Sequence, residues 1–310
     1  MAIARYFGFG EEKEFGVPVP ATEMIDPESA ELDPAGDQAL IYEGVSRLDR
    51  IVAPGIYRSE GSLSVPFDLK AFPYFLKWAL GGYEVVGKEP SFTHRFYPKQ
   101  SSLMDSFTAR VGKDVFEHQF SGCVVSAVNL ELDANFLIGS VDIIGGKDEK
   151  STLQTNPLFT SGDIYSPSQV TATMNGLDES AYIQSFSIKI ETGADNEKGV
   201  TIGSRFPRRA YRGAFLVEME MNLSFFSTIH LERFWGNSTG PTQDKLLEFE
   251  TKIHIGDHID LVIPRGVYTS MQQPLSGRDS IEQTTTLRAL VKPDGTGPIE
   301  FSITNDKPTY

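Results

Sequence analysis

The sequence predicts a mainly β protein of two tandem β-sandwich or barrel domains, with a flanking helix at least in the first. Three observations lead there: an internal near-repeat, period-two alternation over most of the chain after residue 105, and a single well-marked helical segment. The near-repeat sets residues 106–145 against 185–236. Its first copy runs Ser106-Phe107-Thr108-Ala109-Arg110-Val111, then Phe120-Ser121-Gly122, Val128-Asn129-Leu130-Glu131-Leu132-Asp133 and Ile143-Ile144-Gly145. Its second runs Ser185-Phe186-Ser187-Ile188-Lys189-Ile190, then Tyr211-Arg212-Gly213, Met219-Glu220-Met221-Asn222-Leu223-Ser224 and Phe234-Trp235-Gly236. Gly122/Gly213 and Gly145/Gly236 share an offset of 91, while Ser106/Ser185 differ by 79, so the second copy carries 12 extra residues in one loop. A repeat of this kind decides the architecture. The expected division is a first domain over 1–150, including an N-terminal arm, and a second over 151–310 with an expanded loop near 193–209, the boundary falling in Gly145–Thr152. A chain of 310 residues suits two domains of ordinary size.

In chain order, Pro18, Pro20, Pro27, Pro34, Gly36, Pro54 and Gly55 leave room in residues 1–60 only for short extended pieces. Ser62–Val65 alternates as a strand. Leu69–Leu80 reads as the helix, with Asp68 as its cap, Pro73 tolerable only near the first turn and Gly81-Gly82 as its stop. Strands are expected at Val128–Asp133, Glu218–Phe225, Phe249–Ile255, Leu287–Val291 and Ile299–Ile303, where apolar and polar residues alternate as on a sheet wet on one side. Such a series supports sandwiches or barrels.

At 40% hydrophobic, the chain has material for real cores. Met1–Gly10 lacks a charged start followed by a long apolar run, and no stretch approaches the roughly 20 apolar residues of a membrane span, so a protein made and kept in solution is expected. Cys123 stands alone, which excludes an intrachain disulfide and fits a small buried packing residue.

Net charge is −14. Residues 11–43 hold ten carboxylates (Glu11, Glu12, Glu14, Glu23, Asp26, Glu28, Glu31, Asp33, Asp37 and Glu43) against Lys13 alone. This reads as a solvated acidic segment, able to bury little by itself and to pack only on assembly. It argues against wrapping nucleic acid, which takes clustered cations, although a negative wall keeps a phosphate backbone from adhering. Four arginines in Arg205–Arg212 (Arg205, Arg208, Arg209, Arg212) stand out on this background. Arginine interleaved with aromatics suits single-stranded nucleic acid, but pairing with carboxylates of another copy suits an acidic chain better. Candidate self-assembly residues are Asp195, Glu197, Lys198, Arg205, Arg208, Arg209 and Arg212 in and beside the expanded loop, where Gly199–Gly203 could add a short strand, with Glu11, Glu12 and Glu14 as acidic counterparts.

Catalytic and cofactor motifs are missing. Gly8-Phe9-Gly10 lacks dinucleotide-fingerprint spacing, and no Walker lysine or Gly-x-Ser-x-Gly elbow occurs. His254-Ile255-Gly256-Asp257-His258-Ile259-Asp260 holds ligand-type residues but reads as a polar strand and turn. His118 and His230 are expected in strands and His94 beside one. No catalytic residue, metal site or cofactor is assigned.

Gly8-Phe9-Gly10-Glu11, Phe15–Thr22, Tyr42-Glu43-Gly44-Val45-Ser46-Arg47, Pro54-Gly55-Ile56-Tyr57, Gly61 and Leu76–Gly81, with Ser106–Asp114 and Phe120–Ser126, resemble the tail tube (major tail) proteins of tailed bacteriophages. Residues 1–145 carry most of the likeness; the second half adds Thr285–Ala289 and Ile303–Asn305. The resemblance implies tail-tube-like domains whose strands continue into neighbouring subunits to form a ring around a lumen. Stacked rings would conduct DNA during ejection without binding it specifically. It further implies a virion tail component assembled in the host cytoplasm, with itself, the tape measure and other tail proteins as partners, and no membrane. Two domains per chain predict a three-chain ring of pseudo-six-fold symmetry. A tube protein of a contractile injection or secretion device, and a β-sandwich carbohydrate-binding module or hydrolase, are the competing readings; the last needs paired carboxylates in a cleft, which no local spacing suggests.

Overall fold

Period-two alternation does build the molecule, and it does so as one branching antiparallel sheet system. The computed structural model describes residues 5–36, 39–42, 45, 51–154, 157–160, 162–275 and 281–310. In the first half lie β1 (Arg5–Glu11), β2 (Glu23–Ile25), β3 (Ser29–Ala35), β4 (Ala39–Tyr42), β5 (Ile51–Pro54), β6 (Arg58–Pro66), α1 (Phe72–Leu80), β7 (Gly81–Lys88), β8 (Ser91–Pro98), β9 (Phe107–Lys113), β10 (Glu117–Leu132), β11 (Leu137–Gly145) and β12 (Lys147–Ser151). The second half holds β13 (Val170–Met174), β14 (Leu177–Asp178), β15 (Ile183–Glu191), β16 (Leu216–Ser224), α2 (Ile229–Trp235), β17 (Glu248–Ile255), β18 (Ile259–Gln272), β19 (Glu282–Ala289) and β20 (Glu300–Asn305).

Strand pairing follows the same order twice. In the first half it runs β2–β1–β9–β10–β11–β6–β3, with β12 on the first part of β10. In the second it runs β14–β13–β17–β18–β19–β16–β15, with β20 on the first part of β18. The irregularities coincide too. Register shifts break β10 between Phe120 and Cys123 and again between Val125 and Ala127. On β18 they fall between Ile263 and Gly266 and between Tyr268 and Ser270, each 143 residues further on. A helix follows β6 in one half and β16 in the other.

This correspondence replaces the alignment of 106–145 with 185–236. Ile143–Gly145 ends strand β11, whereas Phe234 and Trp235 end helix α2 and Gly236 caps it. The counterparts of β9, β10 and β11 are β17, β18 and β19, and one helix becomes two. Sequence offsets misled because any Ser-Phe strand start followed by a glycine and an alternating ribbon looks alike. The expected boundary stretch is likewise no linker, since Lys147–Ser151 is a strand paired with β10.

The two halves join along two strand junctions. The second part of β10 pairs on its other side with β15, from Ala127↔Glu191 to Leu132↔Phe186. One sheet thereby runs β3–β6–β11–β10–β15–β16–β19–β18. Its inner face buries Leu63, Val128, Leu130, Val141, Ile188, Ile190, Met219, Met221 and Leu287. A second junction ties hairpin β7–β8 of the first half to β20 of the last.

Helix α1 caps an aromatic core: Trp78 stacks on Phe107 at 4.3 Å and meets Phe9 edge-on at 5.7 Å. Asp68 accepts the N–H groups of Lys70 and Ala71, both at 2.7 Å, Pro73 sits in the first turn, and Gly81 stops the helix at φ 77°. Phe72 lies so close over Gly139 of β11 that a Cβ there would meet its ring at 2.1 Å. Helix α2 packs by charge: Arg233 pairs with buried Glu179, and His230 Nδ1 lies 3.0 Å from the Tyr268 hydroxyl. His230 therefore lies in a helix, and His94 is buried inside β8, while His118 is in β10 as expected. Buried Cys123 has its thiol pKa raised by burial.

Two outcomes are expected. Gly139→Val drives Phe72 off the sheet and costs roughly 1–3 kcal/mol in a urea titration. Burial, helped by neighbouring Arg233, lowers His230 from 6.5 to about 4. The unfolded chain therefore takes up the proton first, and the stability His230 contributes is complete above pH 6.5 and lost as pH falls towards 4. His230→Gln should flatten the decline in thermal midpoint across that window.

Candidate functional surfaces

The outer face of the long sheet is a polar wall. Cross-strand rows can be read from the registers: Glu31, Ser62 and Asp142; then Ser64, Ser140, Asn129, Lys189, Glu218 and Arg288; then Glu131, Ser187, Glu220, Thr286 and Ser270. Glu191 stands beside Ala127 in the first row. Six carboxylates thus face Lys189 and Arg288. Both cations are engaged, Lys189 with Glu191 at 2.6 Å and Arg288 with Glu218 at 2.7 Å. Glu191 holds the Lys189 pKa up, and partial burial raises that of Asp142. Glu131, Glu220 and Glu31 point to solvent, so the wall is net negative.

The cationic loop lies elsewhere. Between β15 and β16 the chain folds back over the first half instead of projecting. Tyr57 N–H donates to Arg205 O at 2.9 Å, and the Arg205 guanidinium lies 5.3 Å from the Tyr57 ring centroid. Glu197 pairs with Arg58, and Asp195 with Lys198 at 2.8 Å, which lowers the Asp195 pKa. Arg212 donates to the Ala79 and Trp78 carbonyls, putting a cation on the C-terminal end of α1. Burial lowers its pKa. Gly199–Gly203 adds no strand; residues 197–199 form a 3₁₀ turn. Arg208 and Arg209 are exposed on the returning arm of the loop, where Arg208 N–H donates to Gly199 O at 3.0 Å.

The acidic arm is also pinned, contrary to the expectation that it packs only on assembly. Glu12 is buried and accepts from the Ser106 and Thr108 hydroxyls and from the Gly16 and Gly122 N–H groups, at 2.7–2.9 Å. It is sequestered within its own chain and presents nothing to a neighbour. Glu11 pairs with Lys77 at 2.8 Å, while Glu14 remains exposed. Asp37, Glu43, Gly44, Ser46 and Arg47 lie outside the described residues.

Sequence reasoning missed hairpin β4–β5. Its residues are exposed on both faces, including Ile41 (56%), Tyr42 (65%) and Val52 (68%). Exposed apolar residues grouped like this mark an interaction surface. The available signal was Leu40-Ile41-Tyr42 and Ile51-Val52, short apolar runs on either side of a charged stretch.

Among the described residues no cluster of three or more His, Cys, Asp or Glu could hold a metal ion. His254 and Asp260 face each other across the β17–β18 turn at 2.6 Å, a surface pair.

The family model of the phage tail tube protein matches residues 4–289. The chain belongs to the phage tail tube protein family. It has a structural role in the tail of the virion, self-assembles into a tube and associates with other tail proteins. No curated protein matches it. Within the tube protein, Arg212 is a positioning residue that ties the second half to α1. Arg212→Ala should remain folded and lose about 1–2 kcal/mol in chemical denaturation.

Proposed function

We propose that this tail tube subunit forms three-chain rings of pseudo-six-fold symmetry, stacked around a lumen lined by the polar wall, through which DNA passes without specific binding. The supporting observation is the composition of that wall, with Glu31, Glu131, Asp142, Glu191, Glu218 and Glu220 against the already paired Lys189 and Arg288. Binding to duplex DNA is driven by cations that displace its counterions, so a surface with net negative charge repels phosphate and offers nothing to release. The doubled pairing order supports three-fold rings, because the two sets of strands in each chain, β1–β12 and β13–β20, supply six tube-type units from three chains. Closed cyclic rings are the usual outcome of head-to-tail contacts. Hairpin β4–β5 supplies apolar cover to a neighbouring chain. The exposed guanidiniums of Arg208 and Arg209 meet carboxylates of another copy, with Glu14 among the acidic counterparts. Assembly takes place in the host cytoplasm, with the tape measure among the partners.

Cryo-EM of tubes grown from the purified protein should show three chains per ring; six would contradict the stoichiometry. Tubes carrying Glu218→Lys with Glu220→Lys should retain duplex DNA at low salt and release it as salt rises, while wild-type tubes retain none. DNA retention by wild-type tubes would contradict a lumen of this composition. Arg208→Glu with Arg209→Glu should leave the circular dichroism unchanged and prevent sedimentation as tubes.

A further inference from the structure

Resting on the ring reading, we infer that the edge of β3 turned away from β6 pairs with residues 270–275 of the next chain in one defined register, Ala35 opposite Ser270 and Asp33 opposite Gln272. Each chain contains one complete seam between repeats, β10 with β15, and at its two ends the separated halves of a second. Because β18 matches β10 at an offset of 143 through both register shifts, Ala127 corresponds to Ser270 and Asn129 to Gln272. The registers of β6 with β3 and of β16 with β15 carry Leu32 to Ile188, Asp33 to Lys189 and Ala35 to Glu191. The internal pairs Ala127↔Glu191 and Asn129↔Lys189 therefore map onto Ser270↔Ala35 and Gln272↔Asp33.

Among the described residues β3 pairs only with β6, and β18 beyond Tyr268 pairs only with β19. Residues 273–275 follow β18 outside any strand, with Leu275 83% exposed, and correspond to the stretch of β10 that β15 covers. Pro34 maps onto Ile190 and stands opposite Met271, so the intermolecular ladder lacks one N–H donor there and rests on the outward groups of Ala30 and Leu32; the same proline discourages indiscriminate pairing of β3. Charge does not oppose the contact, as Asp33 and Glu31 meet no carboxylate among Ser270–Leu275. Thr192 N–H donates to Ser126 O at 3.0 Å, which fixes the alternation along the internal seam. Asn129↔Lys189 and Ala127↔Glu191 are then the pairs without mutual backbone bonds, whose Cα atoms approach to about 4.5 Å. Cysteines at their counterparts are placed for a disulfide.

The test is a chain carrying Asp33→Cys and Gln272→Cys, assembled and then mildly oxidised; losing the exposed Asp33–Lys113 pair (3.0 Å) costs little. Covalent multimers should appear on a non-reducing gel in the assembled state, and none in either single variant. Leu32→Cys with Gln272→Cys should not link, because a one-residue slip places the two side chains on opposite faces. Linking of that pair in place of the first overturns the register. Tubes that form with neither pair linked overturn the seam and leave the tube reading intact, whereas wild-type protein that forms no rings overturns the tube reading itself. Should the first double variant not assemble, Ala35→Cys with Ser270→Cys probes the same register. In a wild-type tube map, any element other than residues 270–275 of a neighbour beside β3 contradicts the inference.

Discussion

Backbone hydrogen bonds along the β10–β15 ladder are the constraint on which the rest depends. A strand edge presents donors and acceptors that must find partners, and this seam satisfies them for six consecutive residue pairs. In doing so it fuses two sets of strands into one sheet, with one buried face and one wet face. Everything packed around it reinforces the join. Arg212 reaches from the second half to the end of α1, Asn196 donates to Gly145 O at 3.0 Å, and Thr192 donates its hydroxyl to Val125 O at 2.9 Å. The connection between β15 and β16 is thus a clamp across the seam, and most of its charged residues are committed within the chain.

Charge is distributed accordingly. Buried charges are few and supplied with partners: Glu12 by four neutral donors, Glu179 by Arg233 and Glu117 by Arg110 at 2.7 Å. Uncompensated carboxylates collect on the open face of the sheet, where water solvates them and where they cost the fold little. On the proposed reading the same face is where a phosphate backbone passes, so a single surface serves solubility before assembly and low friction after it.

Much of this was legible in the sequence, and the reasons differ by element. Val128, Leu130 and Leu132 alternate with Asn129, Glu131 and Asp133, so both faces of β10 could be assigned, since period-two patterning records burial directly. Helix α1 announced itself through Asp68, Pro73 and Gly81-Gly82. Short α2 did not, because Ile229–Trp235 spans barely two turns and is held by Glu179, which is distant in sequence. Register was beyond reach, as the correspondence of Phe107 with Phe249 lies in which strands pair and hardly at all in residue identity. The charged loop misled for a related reason: Arg205 and Arg212 look available in sequence, yet Tyr57 and the α1 carbonyls that occupy them come from the other half of the chain.

Hydrogen exchange, followed by mass spectrometry on unassembled protein and on tubes, tests the central claim most directly. Amides of β10 and β15 should be protected to the same extent in both states, because their ladder is complete within one chain. The amides of β3 and of residues 270–275 that point away from β6 and β19 should exchange fast in the free chain and slowly in the tube. Equal protection of those outward amides in both states, or protection of the β10–β15 ladder only after assembly, would contradict the account.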